Sequence, residues 1–187
     1  MDNQVKLCVV PGGRLPERRT SEAVGFDIYL RAVVSPDDMD PKNVNLRRTL
    51  FDFKNIPTDP DIARHVFETE GELVYRIDPG ESALVSVGFI VEMLFPVFLL
   101  IIPRGSTAKQ GIVVTNALSP VDPDYRGEPG ALLYNSSNKP FDLKRNMRIA
   151  QALFLRAEIP EIIQVEAVTD LKSTSRGAGG LGSTGLR

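Results

Sequence analysis

The sequence predicts an all-β sandwich or barrel, and two observations carry the prediction. Short runs rich in β-branched and aromatic residues recur along the 187 residues, at 5–10, 26–34, 73–77, 83–91, 97–102, 111–114, 130–134, 148–154 and 162–168. Clusters of Gly, Pro, Asn and Asp separate them, as in Asp78-Pro79-Gly80-Glu81 and Ser137-Asn138-Lys139-Pro140. Evenly spaced short strands joined by such turns characterise sandwiches and barrels.

The first run contains Leu7-Cys8-Val9-Val10, so Cys8 is expected as a buried structural thiol. The second carries one acid in Val24-Gly25-Phe26-Asp27-Ile28. An unpaired buried carboxylate is costly, so Asp27 needs a cationic partner or a hydrated metal. Residues 36–72 break the pattern. Pro36, Pro41, Pro57 and Pro60 lie among acids there, so an excursion from the β core is expected, irregular or partly helical. A short helix over 62–67 is its one candidate element, with His65 as an ordinary surface residue.

Strand character resumes at 73–77 and 83–91. The run at 97–102 ends in Pro103-Arg104-Gly105-Ser106-Thr107-Ala108-Lys109. Small residues, hydroxyls and two cations there suit a phosphate cradle, and equally a solvated basic turn. After 111–114 comes Leu118-Ser119-Pro120-Val121-Asp122-Pro123-Asp124-Tyr125-Arg126-Gly127-Glu128, a carboxylate-rich hairpin with an aromatic near its tip. A carboxylate beside a polyphosphate can act as general base toward water. Asp124, Arg126 and Glu128 read as solvated surface charges. After 130–134, Asn146-Met147-Arg148-Ile149-Ala150-Gln151 alternates polar and apolar residues as it enters the next strand. Arg148 suits an ion-pair partner there, and Gln151 is positioned to reach a ligand. The run at 162–168 is the last expected strand.

Five of the last twelve residues, 176–187, are glycine, accompanied by Arg176, Ser183 and Thr184. Glycine loses the most backbone entropy on ordering. Such an end is either a flexible terminus or a flap that orders over an anion.

The totals exclude several classes. A net charge of −2 gives no reason to expect a nucleic-acid polymer as partner. One cysteine allows no internal disulfide and fits a reducing compartment. One histidine leaves no material for a His-based metal cluster or a Ser–His–Asp triad. The start has no signal-peptide pattern, and the longest apolar stretch, 89–102, is broken by Glu92 and Pro96. A cytoplasmic protein without membrane contact is therefore expected.

In this order, the segments resemble the five motifs of the trimeric dUTP pyrophosphatases (deoxyuridine triphosphate nucleotidohydrolases). The motifs are Val24-Gly25-Phe26-Asp27-Ile28, Pro103-Arg104-Gly105-Ser106, Val121-Asp122-Pro123-Asp124-Tyr125-Arg126-Gly127-Glu128, Arg148-Ile149-Ala150-Gln151 and the glycine tail. The resemblance implies a jelly-roll-like β subunit of the β-clip type over residues 1–175 and an arm at 176–187 that closes the site. It implies a homotrimer with active sites at subunit junctions, and hydrolysis of dUTP to dUMP and pyrophosphate. Asp122 matches the general base that aims water at the α-phosphorus. Mg²⁺ would bind the triphosphate, with Asp27 acting through water. Arg104, Gly105, Ser106, Gln151 and Arg176 would hold phosphates. Gly180, Leu181, Gly182, Ser183 and Thr184 would close over the nucleotide. Tyr125 would pack under the deoxyribose, and backbone from Asn116 to Val121 would read the uracil edge.

The chain departs from that pattern at three places. The second motif reads Arg104-Gly105-Ser106 where the family usually has Arg-Ser-Gly, Leu181 replaces a usual Phe, and Ser119-Pro120 replaces a glycine-containing stretch. The shortened second motif also resembles the related dCTP deaminases. Those enzymes carry a glutamate on the strand after the hairpin, where this chain has Leu132. A third reading is a non-catalytic trimer that binds nucleotide or a protein partner.

Overall fold

The structure, a computed structural model, describes residues 4–180. The chain forms two compact units, Met1–Ala157 and Glu158–Arg187. The described strands of the first unit are β1 (Lys6–Val9), β2 (Phe26–Tyr29), β3 (Val33–Asp40), β4 (Asn43–Phe51), β5 (Val66–Thr69), β6 (Glu72–Ile77), β7 (Ser82–Ser86), β8 (Phe89–Glu92), β9 (Val97–Pro103), β10 (Ile112–Val114), β11 (Gly130–Asn135), β12 (Phe141–Leu143) and β13 (Arg148–Arg156). Two single-turn helices interrupt them, α1 (Pro60–Ala63) and α2 (Gly105–Ala108).

These strands build the expected all-β, jelly-roll-like sandwich, and their pairings are antiparallel. A five-stranded sheet runs β10-β11-β7-β3-β4, and three-stranded sheets run β12-β6-β5 and β2-β13-β9. The remaining sheet is a ribbon of β1 and β8. Alternation explains the layering. β11 buries Ala131, Leu133 and Asn135 while Leu132 and Tyr134 are half-buried. The core between the layers includes Ile28, Leu30, Phe51, Phe89, Leu99 and Leu133. Each such side chain contributes roughly 1.5–3 kcal/mol by leaving water.

Two expected strands are each split at a corner. The run at 26–34 leaves the β13 sheet after Tyr29 and enters the five-stranded sheet at Val33. The N–H of Leu30 donates to Met147 and that of Arg31 to Ser86 across this corner. The run at 83–91 turns at Val87-Gly88 into the β1 ribbon. Gly88 has φ +83°, and a Cβ there would lie 2.9 Å from the Gly13 Cα, so the turn requires glycine.

Several expectations are corrected. Residues 36–72 are mainly strands: β3 runs on into the segment and pairs with β4, and β5 pairs with β6. The helix lies at Pro60–Ala63 instead of 62–67, because Asp59 accepts the Asp61 N–H as N-cap and Pro60 suits the first helical position. His65 is buried, stacked on Tyr75 at 5.1 Å between ring centroids. Its Nδ1 lies 3.1 Å from the Arg76 carbonyl, which can only accept, so that nitrogen carries the proton. Cys8 is exposed, because β1 pairs only with β8. Residues 162–168 form no strand; Ile162 and Ile163 are exposed and lack a ladder partner, and the segment ends in a 3-10 turn at Val168–Asp170.

Candidate active site

Two constellations are built on opposite parts of β9. The first surrounds Asp27. Its residue is 1% exposed, and its carboxylate accepts from Arg148 Nη1 at 2.9 Å, Arg104 Nε at 3.0 Å and Gln151 Nε2 at 3.1 Å. The β2–β13 register sets Gln151 opposite Asp27, and Arg104 follows the last residue of β9. Burial alone would raise the Asp27 pKa, but bonds from Arg148, Gln151 and Arg104 outweigh it and hold the group below its ordinary value. Of the two partners open to Asp27 on sequence grounds, the structure supplies the cationic one.

Arg104 is held on several sides. Its Nη1 donates to Ser106 Oγ at 2.9 Å and to the Arg148 carbonyl at 3.1 Å. Gly105 and Ser106 then open α2, both exposed, and the space where a Gly105 side chain would project is empty. The Thr107 hydroxyl donates to the Arg104 carbonyl and fixes the turn. The predicted Arg104-Gly105-Ser106 group is thus a pinned guanidinium beside an exposed backbone edge. Gly25 is buried against Gln151, where a Cβ would stand 3.1 Å from its side-chain amide.

The second constellation is a slot of about 190 Å³ lined by Asn116, Val121, Asp122, Tyr125, Pro129 and Gly130, among others. Val121 pairs with Leu99 through reciprocal backbone bonds of 2.8 and 3.1 Å, which fixes the first leg of the hairpin to β9. The Tyr125 N–H donates to the Asp122 carbonyl and closes the tip turn. Arg126 Nη1 donates to the Pro123 carbonyl at 2.7 Å, bracing it. Asp122 is exposed on the rim. The Asn116 amide is spent on β11: Nδ2 donates to the Gly130 carbonyl and Oδ1 accepts from the Leu132 N–H, each at 2.9 Å. Ser119, Pro120 and Val121 line the slot beside it.

The Tyr125 ring lies over Gly127. A Cβ on Gly127 would approach the Tyr125 hydroxyl to 2.2 Å. Glu128 is not the solvated charge expected. It is 3% exposed and paired with Arg31, because both strand corners turn polar groups toward it.

The structure brings Asp27, Arg104, Ser106 and Gln151 into one group, and Asn116, Val121, Asp122 and Tyr125 into another. The chain does not bring the two groups together. Arg104 lies five residues beyond Leu99, or about 17 Å of extended strand. Antiparallel pairing directs Asp122 still farther from Arg104. In the second unit, Arg176 Nε donates to the Gly179 carbonyl at 3.0 Å, and both Arg176 and Gly180 are exposed. Leu181, Gly182, Ser183 and Thr184 lie outside the described residues.

Neither constellation offers a metal a free carboxylate cage. Asp27 Oδ1 accepts two bonds and Oδ2 one, so an acceptor position on Oδ2 remains for a water held by Mg²⁺. Among the described residues, His65, Asp78 and Glu81 do converge, but His65 Nδ1 already serves the Arg76 carbonyl. No helix among the described residues is long and apolar enough to cross a membrane.

The molecule is an all-β sandwich that carries an acid-tipped hairpin slot and a separate guanidinium cluster. The dUTPase family model matches residues 73–185. A deoxyuridine 5'-triphosphate nucleotidohydrolase of Heliobacterium modesticaldum is 30% identical over 94% of this chain and 92% of its own. One of Nautilia profundicola is 46% identical over 58% of this chain and 75% of its own. The dUTPase of Staphylococcus bacteriophage 80alpha, solved with dUPNHPP, shares the fold at a TM-score of 0.68 and 16% identity, covering 98% of this chain and 99% of that one. The chain belongs to the dUTPase family.

Proposed function

We propose that the protein hydrolyses dUTP to dUMP and pyrophosphate, and that it does so as a homotrimer with shared sites. The carrying observation is the separation of the two constellations along β9. Each is incomplete alone. The slot has the acid but no phosphate-binding cation among its lining residues, and the Asp27 cluster has the cations but no exposed carboxylate. Cyclic symmetry joins the hairpin of one chain to the Arg104 cluster of the next.

In that assembly the slot takes uracil and deoxyribose. Backbone groups between Asn116 and Val121 meet the base edge, and Tyr125 closes the sugar side, where a ribose 2′-hydroxyl would have to displace the ring. Arg104 and Gln151 reach the phosphates, with Ser106 and the Gly105 backbone beside them. Asp122 accepts a proton from water as that water attacks the α-phosphorus in line, and pyrophosphate leaves. The protein's work is positioning and charge stabilisation. Mg²⁺, when bound, would supply charge neutralisation to the triphosphate, and Asp27 is the residue that would hold it through water.

A product assay tests this reading. Purified protein with Mg²⁺ and dUTP, dCTP or dTTP should release pyrophosphate from dUTP and leave dCTP intact. Ammonia from dCTP would identify a deaminase, which the Leu132 position argues against. Nucleotide binding without turnover would identify a non-catalytic trimer.

A further inference from the structure

Glu128 lies in the hairpin sequence yet is one of the most enclosed charges among the described residues. Its side chain is 2% exposed, facing an Arg31 side chain 10% exposed. Oε2 accepts from Arg31 Nη2 at 3.0 Å. Oε1 accepts from the Gly88 N–H at 2.8 Å, from Arg31 Nε at 3.2 Å and from the Ser86 hydroxyl. Arg31 Nε also lies 2.6 Å from Ser86 Oγ. The Glu128 N–H donates to the Asn45 carbonyl of β4 at 2.8 Å.

The donors come from the two corners where strands change sheets: Arg31 between β2 and β3, Ser86 at the end of β7 and Gly88 between β7 and β8. Glu128 is followed by Pro129 and Gly130, which line the slot, and lies three residues beyond Tyr125. The other leg of the hairpin has its backbone bridge to Leu99. The second leg is fixed by the Glu128 side chain together with the Glu128 N–H bond to Asn45.

We infer that Glu128, clamped by Arg31, Ser86 and the Gly88 N–H, is a positioning residue that sets where the hairpin presents Asp122 and Tyr125. It touches no reacting atom and acts through the orientation of the hairpin. The inference rests on the proposed function, because it takes Asp122 and Tyr125 as the groups that meet the nucleotide. A small error at the reacting centre is expensive: about 1 Å of misplacement can cost about a hundred-fold in rate.

The test uses Glu128→Gln and Ser86→Ala in the full-length protein, assayed well below each variant's melting temperature. Glu128→Gln keeps the shape but removes the charge that Arg31 requires. Ser86→Ala removes one clamp and carries the same test should Glu128→Gln not fold. The account expects kcat/KM for dUTP to fall about 10–100-fold in Glu128→Gln and less in Ser86→Ala. It expects dUMP to inhibit more weakly while the inhibition constant of pyrophosphate is unchanged, because the Arg104 cluster is not on the hairpin. A lowered melting temperature with unchanged kcat, KM and dUMP inhibition in the folded variant would overturn it. Equal weakening of dUMP and pyrophosphate would also overturn it. Asp122→Asn serves as control: if that variant keeps normal turnover, the functional reading fails, whatever Glu128 does. If it is inactive and Glu128→Gln is normal, only the positioning role fails.

Discussion

Asp27 is buried and charged, and its ion pairs decide its behaviour in acid. Its folded-state pKa lies below the ordinary value of 3.8. A depressed carboxylate contributes stability that is fully present above the unfolded pKa and is lost as pH falls through the folded one. The melting temperature should therefore decline below about pH 4. Asp27→Asn should melt lower at neutral pH, with a loss on the order of 3 kcal/mol from leaving Arg104 and Arg148 without their anion. It should also show a shallower decline in acid. Superimposable acid limbs for the two proteins would remove Asp27 from the account. Asp122 makes a different prediction, since it is exposed and braced only through its backbone. Asp122→Asn should lower kcat by about 10²–10⁴. Its affinity for a non-hydrolysable dUTP analogue should stay within about two-fold, because a general base contributes to the transition state more than to binding. A normal single-turnover rate would assign the base elsewhere.

In the proposed reading the hairpin sets specificity, and Gly127 lies against the Tyr125 ring that would face the sugar. Gly127→Ala places a methyl group where the Tyr125 ring now lies. The ring must move, so preference for dUTP over UTP, measured as the ratio of kcat/KM values, should fall by about ten-fold, within the range a single contact provides. An unchanged ratio would mean that Tyr125 does not face the sugar. At this scale the sequence is partly legible. Strands such as β6, β9, β11 and β13 follow from apolar runs and alternation. The corners at 30–32 and 87–88 do not, because an uninterrupted apolar run gives no sign of where a chain changes sheets. β4 is hidden by its polar, largely exposed composition around Asn43-Val44-Asn45. Glu128 and His65 mislead for one reason. Burial of a polar side chain depends on partners remote in sequence, such as Arg31, 97 residues from Glu128. The apolar run around Cys8 misleads in the opposite sense, since β1 is covered on one edge only. The candidate motifs are legible because chemistry confines them to short segments. Their separation in space is not, because it depends on the register of β9.

At the scale of the whole molecule, the account depends on one chain completing another. A subunit that keeps Asp122 and Arg104 more than about 17 Å of strand apart cannot position a water and a triphosphate together. The single most direct measurement is complementation between two inactive variants. Asp122→Asn chains and Arg104→Gln chains are mixed in equal amounts, unfolded, refolded together and assayed for pyrophosphate release from dUTP. If each site takes Arg104 from one chain and Asp122 from a neighbour, random assembly leaves about one quarter of the sites with both groups intact. The mixture should then recover about a quarter of the unmodified rate. A mixture as inactive as either variant alone, in particles shown to contain both chains, would contradict the shared site.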